Sequence, residues 1–293
     1  MKYLIKILTC IFLCANINAQ ILTMPQIDTT INYTLNVRYI SDTISIQSNQ
    51  GPWDFSSGSL LNSSSKTKEL IPIFNTSYSL DYPHATWRYT DNGSHSFIGI
   101  NNDSWTYNGE ISFVTTEYST PLILLPFPFS AGQTHVDSIT TPLIGFNVDR
   151  IDKNETKYLS SGTLTLPNGV EYLNAVLLEV TRTFIDNPGP FQAVTTMHMK
   201  NWMVQNYPVP VMRVYYMTQD HPQNGFNTLE LTTDYIESSN ISMPNSNINF
   251  QSNNKFRELI KTYDLLGKES NNTNKPLFYI YNDGFIEKKI IID

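Results

Sequence analysis

Tyr33-Thr34-Leu35-Asn36-Val37-Arg38-Tyr39-Ile40 decides the fold class. Leu35, Val37 and Tyr39 fall on one face of an extended chain, and Thr34, Asn36 and Arg38 on the other. Successive side chains of a strand point to opposite faces, so this period of two predicts a half-buried β-strand. Thr43 to Gln47 repeats the pattern through Ile44 and Ile46. Residues 96–100, 110–115, 163–166, 175–183, 192–199, 210–217 and 228–236 are further candidate strands. Turn chemistry separates them: Asn49-Gln50-Gly51-Pro52, Asp91-Asn92-Gly93, Tyr107-Asn108-Gly109, Pro167-Asn168-Gly169 and Asn187-Pro188-Gly189-Pro190. The run Leu164 to Val170 reads as one hairpin turned by Asn168-Gly169. The 17 Tyr and 15 Phe suit pleated surfaces, and no long amphipathic helix is evident. Many short strands at this spacing predict an all-β protein with a β-sandwich or barrel-like body, not a βαβ fold.

Both ends of the chain carry further signals. Lys2 and Lys6, then the apolar run Ile7 to Leu13, then Ala19 before Gln20, predict a secretory signal peptide over residues 1–19. The apolar run is too short to span a bilayer, so no transmembrane segment is expected after cleavage. Cys10 and Cys14 both lie in this segment. The mature chain would therefore lack disulfides, thiol nucleophiles and Cys-ligated zinc, and would rely on its core. Loss of Lys2 and Lys6 takes the formal charge from −7 to −9. An acidic body argues against nucleic acid and anionic membrane surfaces as partners.

Composition divides the remainder into an all-β body over residues 20–236, a Ser/Asn-rich linker over 237–254 and a tail over 255–293. Pro126 and Pro128 cannot donate to a ladder, so residues 121–142 read as an edge or crossover segment that could divide the body into two β halves.

The body is poor in catalytic motifs. His84, His95, His135, His198 and His221 show no metal-ligand spacing, and they read as surface or core residues. No nucleophile elbow, dinucleotide fingerprint or P-loop occurs, and no catalytic, metal or cofactor residue is assigned. A glycosidase would need two carboxylates facing one pocket, for which Asp54, Asp81, Asp103 and Glu110 are candidates. Asp54 lies between Trp53 and Phe55 and has two readings: a carboxyl raised by desolvation, or a turn cap, which the sequence favours. Trp53, Trp87, Trp105 and Trp202 are candidate glycan contacts, since exposed rings stack on sugars, although Trp in a sandwich is more often core.

In the tail, Phe256, Leu259, Ile260 and Tyr263 fit a helical face, and the same stretch also reads as a strand. Leu277 to Tyr281 and Phe285 to Ile292 are β-rich runs joined through Asn282-Asp283-Gly284, a hairpin signal. The blocks Tyr263-Asp264-Leu265-Leu266-Gly267-Lys268-Glu269, Pro276 to Gly284, and Glu287-Lys288-Lys289-Ile290-Ile291-Ile292 resemble the C-terminal (type A) sorting domain of Bacteroidetes type IX secretion cargo. The resemblance implies a small β unit read by the outer-membrane translocon. Tyr263, Asp264, Gly267, Lys268, Tyr279, Asp283, Gly284, Lys288 and Lys289 would carry the signal. The Tyr-Pro-Asn-Pro opening usual in that family is missing here.

Within the body, Gly51-Pro52-Trp53-Asp54-Phe55, Leu125-Pro126-Phe127-Pro128-Phe129 and Ser161 to Gly169 resemble an uncharacterised secreted Bacteroidetes β domain, which implies no activity. Asp28-Thr29-Thr30, Asp42-Thr43-Ile44 and Asp137-Ser138-Ile139 resemble that phylum's O-glycosylation sites. The expectation is a secreted or surface-attached protein that passes through the periplasm. It would act as a non-enzymatic binding or adhesive module with a surface glycan as partner, and the rival is a secreted hydrolase of glycosidase type.

Overall fold

The computed structural model describes residues 20–40, 48–57, 63–187, 192–221, 225–241, 248–249, 259–263, 268, 270, 276–281 and 286–290. The signal-peptide segment, Thr43 to Gln47, Asp264, Gly267, Asp283 and Gly284 lie outside them.

The strands in chain order are β1 (Tyr33–Ile40), β2 (Trp53–Asp54), β3 (Ser63–Pro72), β4 (Trp87–Asp91), β5 (Ser94–Ile100) and β6 (Ser104–Ile111). They continue as β7 (Thr115–Pro126), β8 (Thr134–Pro142), β9 (Asp149–Thr165), β10 (Glu171–Asp186), β11 (Ala193–Met203) and β12 (Met212–His221). The last are β13 (Gly225–Ser239), β14 (Ile248–Asn249), β15 (Leu259–Tyr263), β16 (Pro276–Tyr281) and β17 (Ile286–Ile290). The described residues are thus nearly all β, with one short 3-10 turn at Ile73–Asn75. Among them, no helix is long and apolar enough to cross a membrane.

The chain separates into two compact units, Met1–Asn249 and Phe250–Asp293. In the first, hydrogen-bonded neighbours run β9-β10-β11-β12-β13-β1-β3-β4-β5-β6-β7, all antiparallel. The free edge of β9 takes β8 antiparallel and, further along, β2 in parallel at Trp53↔Leu164. β14 pairs with the start of β10.

The sheet turns back so that β7 meets β8 and β9, and side chains close much of this seam. Asp137 Oδ2 accepts from the Ile123 amide at 2.7 Å. Thr141 Oγ1 donates to the Glu117 carbonyl at 3.1 Å. The Leu124 carbonyl accepts from Asn154 Nδ2 at 3.1 Å and Thr156 Oγ1 at 2.8 Å. An edge strand with unpaired backbone groups invites association with other chains, and these bonds occupy part of that edge. Residues 121–142 therefore do hold the sheet's edges, as the prolines predict. They do not divide the body, because the seam ties the two edges into one unit.

Several local expectations change. Asn92 (φ 50°) and Gly93 (φ 83°) form the β4–β5 turn, and Gly169 (φ 82°) turns β9 into β10 with the Leu166 amide donating to the Val170 carbonyl at 2.8 Å. Asn108-Gly109 is not a turn but lies inside β6, at an irregularity in its pairing with β7. Gly109 has φ 128°, and a Cβ there would sit 2.1 Å from the Thr116 carbonyl oxygen, so close strand approach requires glycine. The predicted strand 110–115 is instead broken by the reversal between β6 and β7. β13 runs to Ser239 and β14 pairs with β10, so backbone ladders enter the Ser/Asn-rich segment read as a linker. Polar side chains do not prevent that, because ladder bonds use the backbone alone.

In the second unit, β15, β16 and β17 form an antiparallel sheet with Tyr263↔Phe278 and Tyr279↔Glu287 in register. Leu259–Tyr263 is extended, which resolves the helix-or-strand ambiguity of that stretch. Tyr263, Lys268, Tyr279, Lys288 and Lys289 lie among the described residues of this unit.

Candidate functional site

β9 carries an unusual inner face. Arg150, Asp152, Asn154, Thr156 and Tyr158 alternate along it, and all are buried. Buried polar groups persist only when partners satisfy them. Asp152, fully buried, accepts from Arg182 Nε at 3.1 Å and Nη2 at 2.6 Å, and from the Tyr118 hydroxyl at 2.6 Å. Arg150 grips Asp186 with two bonds of 2.6 and 2.9 Å and reaches Glu110 at 3.0 Å. The Arg182 guanidinium also stacks 3.9 Å from the Tyr107 ring. Burial opposes the Arg182 charge, yet Asp152 outweighs it and holds the group well above its ordinary value.

A second charged cluster comes from β3, β4, β12 and β13. Lys68 Nζ lies 2.9 Å from Asp91 and 4.0 Å from Asp234, over the rings of Tyr39 and Tyr89. Arg213 is opposite Asp234 in register and donates to it at 2.5 and 3.3 Å. Burial works against the Asp91 carboxylate, but Lys68 and the Tyr39 hydroxyl hold it below its ordinary value.

Between these clusters is a cavity of about 200 Å³. Its wall combines aliphatic side chains, among them Leu124, Leu125, Leu178 and Val180, with Lys68, Arg182, Arg213 and Asp234. Four polar lining residues carry a buried atom without a hydrogen-bond partner: Trp105 Nε1, Asn154 Oδ1, Asn201 Oδ1 and the Tyr235 hydroxyl. Those four atoms have almost no exposed surface and so lie behind the cavity wall, while the charges of the lining are spent on carboxylate partners.

The four tryptophans do not form an exposed stacking row. Trp53, Trp87 and Trp202 are core residues at 4%, 0% and 0% exposure. Trp202 packs edge-on against Trp53 and Phe55, with centroids 6.0 and 5.3 Å away, and Trp87 packs on Tyr33. Trp105 alone of the four lines the cavity. Asp54 is exposed and accepts from the Ser56 amide at 2.9 Å; the Ser56 hydroxyl and then its amide lower the carboxyl, so it is a turn cap without the raised value that an acid would need. Asp81 and Asp103 are exposed, and Glu110 is held by Arg150. Among the described residues that line the cavity, the one carboxylate is Asp234. His198 stacks on Tyr216 at 4.6 Å between centroids, and no metal-ligand cluster is found among the described residues.

Sequence reading missed this site because one of its walls, β9, is polar. The stretch Asp149 to Gly162 has no apolar alternation, and a strand with charged residues facing inward looks like a loop. The one available signal was Arg150-x-Asp152-x-Asn154-x-Thr156-x-Tyr158, a period of two in larger polar side chains. No protein-family model, curated protein or solved structure matches this chain.

Proposed function

We propose that the chain is an exported, non-enzymatic binding module whose ligand site is the interior cavity. The observation that carries this reading is the cavity itself, a largely apolar chamber of about 200 Å³ whose charged lining residues are paired with carboxylates. A molecule that fills it removes apolar surface from water, which is favourable by about 25 cal/mol per Å². The paired-carboxylate alternative has less support, since Asp234 faces two cations and has no second carboxylate beside it in the wall. Surface glycan contact through the four tryptophans also has less support, since three of the rings are core.

The export half of the proposal is supported by the signal-peptide pattern and by the three sorting-domain blocks, whose described parts form an antiparallel β unit. The route would pass through the periplasm and the type IX translocon to release or surface attachment.

A thermal-shift screen of the full chain against charged and neutral small molecules tests the binding half, with nitrophenyl glycosides assayed in parallel. A stabilising ligand without turnover is expected; glycoside hydrolysis abolished by Asp234→Asn would replace the reading with the enzyme. For export, deletion of residues 255–293 is expected to leave the body in the periplasm, and undiminished release of the truncated protein would refute the sorting role.

A further inference from the structure

We infer that one rim of the body is a docking surface for a neutral, zwitterionic lipid bilayer, with apolar side chains from three loops entering the headgroup layer. The inference does not depend on the cavity. The reversal between β6 and β7 leaves Phe113 at 89% exposure, and the β8–β9 loop leaves Ile144 and Phe146 exposed as well. The Ile144 amide donates to the Thr115 carbonyl at 2.9 Å, so the two loops are tied side by side. Phe113 lies two residues before Thr115 and Phe146 two residues after Ile144, so both rings belong to this junction. A third loop joins them. The Tyr82 hydroxyl donates to the Thr116 carbonyl at 3.1 Å, and Leu80, two residues before Tyr82, is 88% exposed.

Slack chain does not account for this exposure. The Ser112 amide donates to the Val114 carbonyl at 2.9 Å, and the Leu143 amide to the Val148 carbonyl at 3.0 Å. The Phe146 amide donates to the Leu143 carbonyl at 3.0 Å. Val114 and Leu143 are buried, which anchors each loop and leaves Phe113 and Ile144 beside them to face solvent. Exposed apolar side chains scattered singly are ordinary, but a group of them marks a contact with protein or membrane.

Shape and charge choose between those partners. The apolar groups project from tight turns, so a protein would need a pocket shaped to each, whereas a bilayer interface deforms around them. Residues 73–86, 112–117 and 143–149 contain no Lys or Arg, and Asp81, Glu117 and Asp149 are exposed there. Anionic lipid attracts basic segments and repels this rim. The cation of a choline headgroup suits it: the carboxylates attract the charge, and the ring faces of Phe113 and Phe146 attract a quaternary ammonium. The same carboxylates oppose a second copy set rim to rim.

The test is co-sedimentation of the mature chain, residues 20–293, so that the apolar leader contributes no lipid binding of its own. The chain is expected to bind phosphatidylcholine vesicles, and to bind about threefold or more weaker when about one third of the lipid is phosphatidylglycerol. Phe113→Ser combined with Phe146→Ser is expected to lower the partition coefficient about tenfold or more. The melting temperature should not change, because both side chains lie outside the core. Should that pair fail to fold, Leu80→Ser is read in its place, with a loss of about threefold or more expected. No sedimentation with phosphatidylcholine overturns the inference, as does a partition coefficient unchanged in the folded variants or raised by the anionic lipid. Dimers that form with rising concentration and vanish in the same variants, without lipid binding, assign the rim to a second copy and also overturn it.

Discussion

One strand, β10, holds two kinds of interior. At Ala175, Val176, Leu177 and Leu178 both faces are buried and apolar: Ala175 and Leu177 pack in the cluster of Trp53, Phe55 and Trp202, and Val176 and Leu178 pack beside Leu125 and Phe129. A few residues on, Arg182 is also buried, yet it faces Asp152, Tyr118 and Tyr107. The first region is held by area removed from water, which is additive and tolerant of direction. The second is held by matched donors and acceptors, where each member is stabilising only while the others are present. The two regions differ in what they tolerate: a truncation in the apolar end loses the area it buried, while a truncation in the polar wall strands the partner it leaves behind.

The sharpest way to break this comparison is paired mutation. Trp202→Ala is expected to lower stability by about 3–5 kcal/mol, read from the chemical denaturation midpoint. Adding Leu177→Ala, its partner in register, should deepen the loss. Arg182→Met should lower stability by about 3–4 kcal/mol by stranding the buried Asp152 carboxylate. Here a further Asp152→Leu with Tyr118→Phe should reverse most of the loss, because an all-apolar replacement leaves nothing unpaired. Recovery in the tryptophan series, or a deeper loss in the arginine series, would show that both regions obey one rule.

The effect smallest at neutral pH is a titration. Burial pushes the Tyr39 hydroxyl up to about 12 and likewise raises Tyr89, Tyr107 and Tyr118 around the charged clusters. A tyrosine raised in the folded state contributes stability that is complete below its ordinary value of 10.0, and for Tyr39 that stability is lost as pH climbs from there through about 12. Asp91 has the opposite sign: its lowered carboxyl contributes stability above 3.8 that is lost as pH falls through the folded value. Denaturation midpoints should therefore stay level near neutrality, then fall at both extremes. Tyr39→Phe should flatten the alkaline arm, and an unaltered arm in that variant would remove Tyr39 from the account.

What the sequence determined by itself was the class of structure and the placement of its apolar strands. The alternation at Tyr33–Ile40, the β-rich run ending in Thr183 and the Asn-Gly turns at Gly93 and Gly169 were legible because apolar periodicity and positive-φ geometry are local properties. The tail's strands at Pro276–Tyr281 and Ile286–Ile290 were legible as β-rich runs, whereas Leu259–Tyr263 read equally as helix or strand until its ladder with β16 was seen. Tertiary structure alone decided that Trp53, Trp87 and Trp202 face inward, that Asn108-Gly109 lies within a strand, and that the polar stretch after Asp149 is an interior wall. The reason is that a charged side chain is stable inside only against a particular partner. Asp152 and Arg182 are 30 residues apart in the chain, and nothing short of the folded register brings them together.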